Sequence, residues 1–222
     1  MPAPQVFLLS PANCGGRRAA IVLSDRADFD LAVRLRAEAG APIGDVFSFL
    51  SGLYFRGKLA YARAFARPPE PDSAVAGSGV LVITPNAGLR AAETPVTLQA
   101  IRTFATVNVS ADNPKYRRPL EQSARALARD VGPGCRVILL GSIASSKYVE
   151  ILQNVFAQRL LFPAEFVGRG DMSRGGLMLR AVAAGQELRY IPVAGAVRHG
   201  QRPARLEPVG RLRNLATSRD KG

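Results

Sequence analysis

Side chains able to do chemistry gather in a few short segments of this chain. "FVGRGDMSRGG" (166–176) sets Arg169, Asp171 and Arg174 among four glycines, at the start of a helical pattern. Glycine lets a backbone approach closely. A helix start offers unpaired amides and partial positive charge. Two arginines there favour an anion such as phosphate. Asp171 reads as the N-cap of the helix and as one of three acids, with Asp45 and Glu93, able to position water or stabilise an oxocarbenium-like centre. "SPANCGGRR" offers Asn13, and "TPNAGLRAAET" offers Asn86 and Glu93. An asparagine amide both donates and accepts, which suits a base edge, and it equally suits a turn. "LLGSIASSKYVEIL" runs from strand through Gly-Ser into helix, with Ser142, Ser145 and Ser146 as N-caps or ligand donors.

The most patterned region is 44–66, which reads as one long helix. At 100° per residue Phe47, Leu50, Tyr54, Lys58, Tyr61 and Phe65 share a face, and Arg56, Arg63 and Arg67 lie opposite. The aromatic stripe reads as core. A lysine among core residues must find an acid, a phosphate or a carbonyl, because an unpaired buried ammonium costs several kcal/mol. Lys58 is therefore a substrate-binding candidate with Asn13, Asn86, Ser142, Arg169 and Arg174. The three arginines are candidates for nucleic-acid backbone contact.

Several chemistries are disfavoured. One histidine, His199, and two cysteines, Cys14 and Cys135, provide no metal-ligand spacing, His-based triad or disulfide framework, so neither a metal nor a cofactor is expected. Neither a G-x-x-x-x-G-K-[ST] loop nor a G-x-G-x-x-G after a strand occurs. The apolar runs are of strand length, the N-terminal stretch lacks the features of a secretory signal, and a cytoplasmic protein with no membrane partner is expected.

Charge is the strongest compositional signal. Thirty basic residues face seventeen acids among 222 residues, a formal +13, and only four of the bases are lysine. Such an excess creates a field that draws polyanions. Nucleic acid is the leading partner class, with a small anionic ligand or a nucleoside next.

The elements that must position these residues alternate between strand and helix. "QVFLL", "VLVIT", "RVILLG", "RLLFP" and "LRYIPV" read as strands with helical patterns between them; 19–24 and 97–109 are ambiguous between strand and helix, and 66–79 is a Pro/Gly/Ser-rich connection. Continuously apolar strands imply burial on both faces. The expected fold is a three-layer α/β/α sandwich with a mainly parallel sheet, forming one domain over 1–197, followed by a basic tail, 198–222. Ligands of such sheets bind outside the carboxyl ends of the strands. The loop at 166–176 should therefore share one edge with Asn13, Asn86 and Ser142.

"SGLYFRGKLAYA", "VLVITPNAGL", "VILLGSIASSKYVEIL" and "FPAEFVGRGDMSRGGLMLR", in that order, resemble small bacterial proteins of the YaaA-type group, in the uracil-DNA-glycosylase-like α/β superfamily. The likeness spans most of residues 45–180 through loose motifs. It implies that fold and a base- or nucleic-acid-facing edge. The first loop here is "SPANCGG", where glycosylases of that fold carry a Gly-Gln-Asp-Pro-Tyr-type motif, and no His-Pro occurs. No catalytic residue follows from the likeness. The expected function is nucleic-acid binding, with N-glycosidic chemistry on a base or nucleoside if the protein is an enzyme. A non-enzymatic DNA- or RNA-binding protein and a small-molecule enzyme acting on an anionic metabolite stay open.

Overall fold

A computed structural model describes residues 2–144, 146–197, 200, 201, 203, 204 and 206. The apolar segments form the expected strands: β1 (Gln5–Leu9), β3 (Val80–Ile83), β6 (Arg136–Leu140) and β7 (Leu160–Pro163). Two short antiparallel strands, β4 (Leu89–Ala91) and β8 (Tyr190–Pro192), flank them. Among the described residues the six run β4-β3-β1-β6-β7-β8. β3, β1, β6 and β7 are mutually parallel. β2 (Ala41–Pro42) and β5 (Pro95–Val96) form a separate antiparallel pair. Every residue of β1 and β3 is buried, so the central strands pack on both faces. The protein is an α/β protein with a mixed, mostly parallel sheet packed by helices.

The helices are α1 (Arg17–Val22), α2 (Asp30–Arg36), α3 (Ile43–Ser51), α4 (Leu53–Phe65), α5 (Leu98–Ala105), α6 (Pro114–Asp130), α7 (Ser146–Phe156) and α8 (Asp171–Ala184). α4 packs on α8 and α3, while α6 packs on α7. The ambiguous segment 97–109 resolves into α5, whose Thr97 side chain caps it by accepting from the Ala100 amide.

Three expectations change. The region 44–66 is two helices, because Gly52 takes φ 63° and ψ −135°, which ends α3 and restarts the chain as α4. The stripe survives the break: Phe47, Leu50, Tyr54, Lys58 and Tyr61 are all buried. The segment carrying Asn86 does not reach the edge expected for it. Thr84 and Gly88 close a tight turn, the Thr84 amide donating to Gly88 O at 2.9 Å, and the chain returns as β4. Asp171 is the first residue of α8, and Gly170 holds the cap position with no side-chain cap bond.

The paired glycines explain the close seat of α8 on α4. A Cβ on Gly57 would lie 2.7 Å from Gly175 O, and one on Gly175 would lie 2.7 Å from Leu53 O. The backbones touch there, and no side chain fits between them. Gly176 has no such contact. Of the basic tail, the described residues pack beside the 168–176 segment, with Arg169 donating to Ala204 O. His199 and Ser145 lie outside the described residues.

Candidate functional site

The chain leaves β1 toward β3 on one side of it and leaves β6 toward β7 on the other. The crevice beyond the carboxyl ends of β1 and β6 is therefore the sheet's topological switch point, the usual ligand position in open α/β sheets. A cavity of about 540 Å³ occupies it. The segment after β1 contributes Ser10 and Asn13 to its wall, and the one after β6 contributes Ser142. Tyr54 comes from α4, Lys147 and Tyr148 from α7, Asn108 from the segment after α5, and Asp171 from the start of α8.

Each wall group has a definite state. Asn13 accepts from the Gly15 amide through Oδ1 at 3.0 Å, which leaves its NH₂ available as a donor. Tyr148 donates to Ser142 O at 2.8 Å. Gly141 makes that position reachable, since a Cβ there would lie 2.8 Å from both the Tyr148 oxygen and Ser10 Cβ. Burial pushes the Tyr148 phenol above its usual range. The Tyr54 hydroxyl is buried and no group meets it in hydrogen-bonding geometry; burial raises its pKa strongly, against a smaller downward pull from the nearby Arg174 guanidinium. An unpartnered buried hydroxyl costs about 1–3 kcal/mol, so this one is a ready donor for an occupant's acceptor atom. Asp171 is two-thirds exposed at the rim and pairs with Arg174 at 3.5 Å.

Lys58 lies beneath the cavity. It is 1% exposed, and its Nζ donates to Ser10 O at 2.7 Å and Ser10 Oγ at 2.9 Å. It therefore reaches the carbonyl that its position demanded. The Tyr54 and Phe55 rings flank the nitrogen, each centroid at 4.5 Å. Burial lowers its pKa to about 7, against a favourable field from Asp171 and with a smaller push from Arg174.

The site thus joins Asn13, Ser142 and Asp171, with Lys58 below. Other expected site residues lie elsewhere. Asn86 sits in the turn before β4 and does not line the cavity. Asp45 pairs with Arg34 at 3.7 Å. Glu93 pairs with Arg63 at 3.4 Å and accepts from Ser78 Oγ. Arg174 donates to Phe166 O and braces the loop before α8. Arg169 donates to Glu165 O and Ser173 Oγ and lines a second cavity, of about 770 Å³, beside the tail. Arg56 is exposed on α4, whereas Arg67 pairs with Glu187 and bridges to Gln5 at the amino end of β1, on the opposite sheet edge. The three arginines therefore form no continuous strip around the cavity.

Tyr54, Asn108, Lys147 and Tyr148 were not singled out as site residues from sequence. Tyr54 belongs to the core stripe, and Lys147 and Tyr148 follow directly on the Ser-rich segment after β6. Asn108 carries no local signal, because it reaches the cavity from a segment that follows no strand. Among the described residues no cluster of three or more metal-ligating side chains occurs, and no helix is long and apolar enough to cross a membrane. No protein-family model, curated protein or solved structure matches the chain.

Proposed function

We propose that the cavity binds a nucleobase or nucleoside, alone or within a nucleic acid, and that Asp171 serves N-glycosidic chemistry there. The observation that carries this is the wall itself: two asparagines and two tyrosine hydroxyls around one carboxylate, at the switch point of the sheet. Amides read base edges in both directions. Aromatic rings lend base planes a stacking surface. A rim carboxylate can stabilise positive charge on a sugar or position water. The field of a +13 chain favours a polyanionic ligand, and Arg17 and Arg18 open α1 directly after the wall loop.

The finer fold reading accompanies this proposal. If the crossovers take the right hand usual for parallel strands, α1–α4 lie on one face of the sheet and α5–α7 on the other, because the steps from β1 and from β3 run in opposite directions. That arrangement supports the reading of a three-layer α/β/α sandwich, in keeping with the glycosylase-like plan the motifs resemble.

The test is equilibrium binding of the four bases, their nucleosides, and single- and double-stranded oligonucleotides over a salt series. The expected outcome is binding of at least one base or nucleoside, weakened about tenfold or more by Asn13→Ala, the loss expected when a hydrogen bond of about 1.4 kcal/mol is removed. Oligonucleotide affinity should fall steeply with salt. Absence of binding by every base and nucleoside at millimolar concentration defeats the reading. Base release from a bound nucleoside, lost in Asp171→Asn, would establish the chemistry.

A further inference from the structure

The base-binding reading leaves a buried pair unused at the floor of the cavity. We propose that Ser10 is a nucleophile with Lys58 as its general base, and that the cavity accepts a carboxylic ester or comparably activated acyl group. This assignment does not depend on the occupant being a nucleoside.

The geometry has the required parts. Ser10 lines the cavity and is 6% exposed. Lys58 Nζ lies 2.9 Å from its Oγ and is fixed by a second bond, to Ser10 O. Among the described residues no carboxylate pairs with Lys58, and its surroundings are two aromatic rings and the strand end. The carbonyl, the hydroxyl and the ring faces would compensate a buried ammonium only in part, since no formal negative charge adjoins it. A neutral amine fits instead: its N–H donates to the Ser10 carbonyl, and its lone pair accepts from the Ser10 hydroxyl. The low lysine pKa agrees with that state. The charged and titratable groups facing Lys58 are Asp171 and Arg174 of α8, Tyr54 of its own helix and Tyr148 of α7. Tyr148 lines the same wall, and its hydroxyl donates to Ser142 O.

The steps balance. Ser10 Oγ bonds to the acyl carbon while its proton passes to Nζ, and the carbonyl π electrons move to oxygen. The Asn13 NH₂, on the loop that follows Ser10, is a side-chain donor on that wall for the oxyanion. The bond to the leaving oxygen then breaks, and the Lys58 ammonium returns the proton to it, releasing an alcohol. Water attacks the acyl-serine, Lys58 takes its proton, and the proton returns to Oγ as the acid departs.

A fluorophosphonate probe tests this on the full chain. Oγ–P forms, P–F breaks, fluoride leaves and Lys58 takes the serine proton. Peptide mass spectrometry should place one phosphonyl group on Ser10 at pH 8, and Ser10→Ala should abolish it. Lys58→Met should slow labelling about 100-fold or more, the low end of general-base contributions. No modification of Ser10, or labelling of Lys58→Met at the wild-type rate, overturns the proposal. Should Lys58→Met fail to fold, the wild-type pH profile decides. The rate should rise through pH 7 and level by pH 8.5 as the amine becomes neutral. A flat profile, or one climbing steadily with hydroxide to pH 9.5, overturns it.

Discussion

The two ends of α4 treat polar groups in opposite ways. At its carboxyl end every major partner is matched. Gln5, fully buried, donates to Phe65 O and to Glu187 Oε2, each at 2.8 Å, and accepts from Arg136 at 2.6 Å. Glu187 also holds Arg67, and the Tyr61 hydroxyl meets Tyr190 at 2.6 Å and the Leu188 amide at 2.7 Å. Burial pushes the Glu187 pKa up, but hydrogen bonds from Arg67 and Gln5 outweigh it and hold the carboxylate below its usual range. Arg136 Nε, and Glu165 Oε2 at the border of the network, are left without a partner. At the amino end the Tyr54 hydroxyl is orphaned, Lys58 has no acid, and Asp171 faces solvent. One helix thus carries a satisfied network where the sheet begins and an unsatisfied one where it ends. The first kind of network stabilises; the second leaves donors and acceptors for a ligand.

The largest expected effect breaks both ends together. Gly57→Ala places a methyl 2.7 Å from Gly175 O, which must lift α8 off α4. The expected cost is about 3 kcal/mol, the upper part of the overpacking range, measured by denaturant unfolding. Loss confined to the cavity end, with α4 and α8 still seated, would mean that the helix joins two independent regions.

Next in size is the satisfied end alone. Glu187→Ala removes the acceptor shared by Gln5 and Arg67 and should cost about 2 kcal/mol at pH 7, as expected for stranding buried donors. Its folded pKa is depressed, so the stabilisation is present above the ordinary value of 4.5 and lost as pH falls through the folded value. The difference between Glu187→Ala and wild type should therefore shrink on acidification. A difference that persists at pH 3 would assign the loss to packing.

The cavity end should show the same sign of pH dependence in a higher window, and for the opposite reason, because there a buried charge is relieved rather than a paired one kept. Lys58 titrates at about 7 in the folded chain against an ordinary 10.5, so between those values the unfolded chain holds a proton that the folded chain lacks. Stability attributable to Lys58 then rises with pH, by about 1.5 kcal/mol from pH 7 to 8.5. Above pH 9 the trend is opposed, since the buried Cys14 thiol, pushed up to about 12, stays protonated while its unfolded counterpart ionises. Lys58→Met should abolish the rise below pH 8.5. An unchanged slope would place the titrating group elsewhere.

How far this contrast was legible in the sequence depended on distance along the chain. The stripe from Phe47 to Tyr61 follows helical spacing, and its phase carries across Gly52, which is why the break between α3 and α4 was invisible. Apolar runs marked the parallel strands, and the rule for strand ends placed Asn13, Ser142 and Asp171 on one edge. It failed for Asn86, because the turn closed by Thr84 and Gly88 carries the chain into β4 rather than toward the cavity. The Arg67–Glu187 pair spans 120 residues, and no local pattern announces such a partnership. Gly175 was legible as a close approach, but its partner, Gly57, is identified only by the crossing of two helices.

The smallest effect separates the ends most sharply, because it uses the same chemical change twice on one helix. Tyr61→Phe removes a hydroxyl that accepts from the Leu188 amide and bonds Tyr190, leaving both without that partner, and should cost about 1–2 kcal/mol. Tyr54→Phe removes a hydroxyl that is buried and unpartnered, so its loss strands nothing. Stability should stay within about 0.5 kcal/mol of wild type or rise, since the desolvation of that hydroxyl is no longer opposed to folding. Thermal unfolding of both variants at pH 7 measures the pair. Equal losses would mean that Tyr54 has a structural partner and that the cavity end is as satisfied as the other. If instead only Tyr61→Phe is destabilised while Tyr54→Phe loses nucleoside affinity, the orphaned hydroxyl belongs to the ligand.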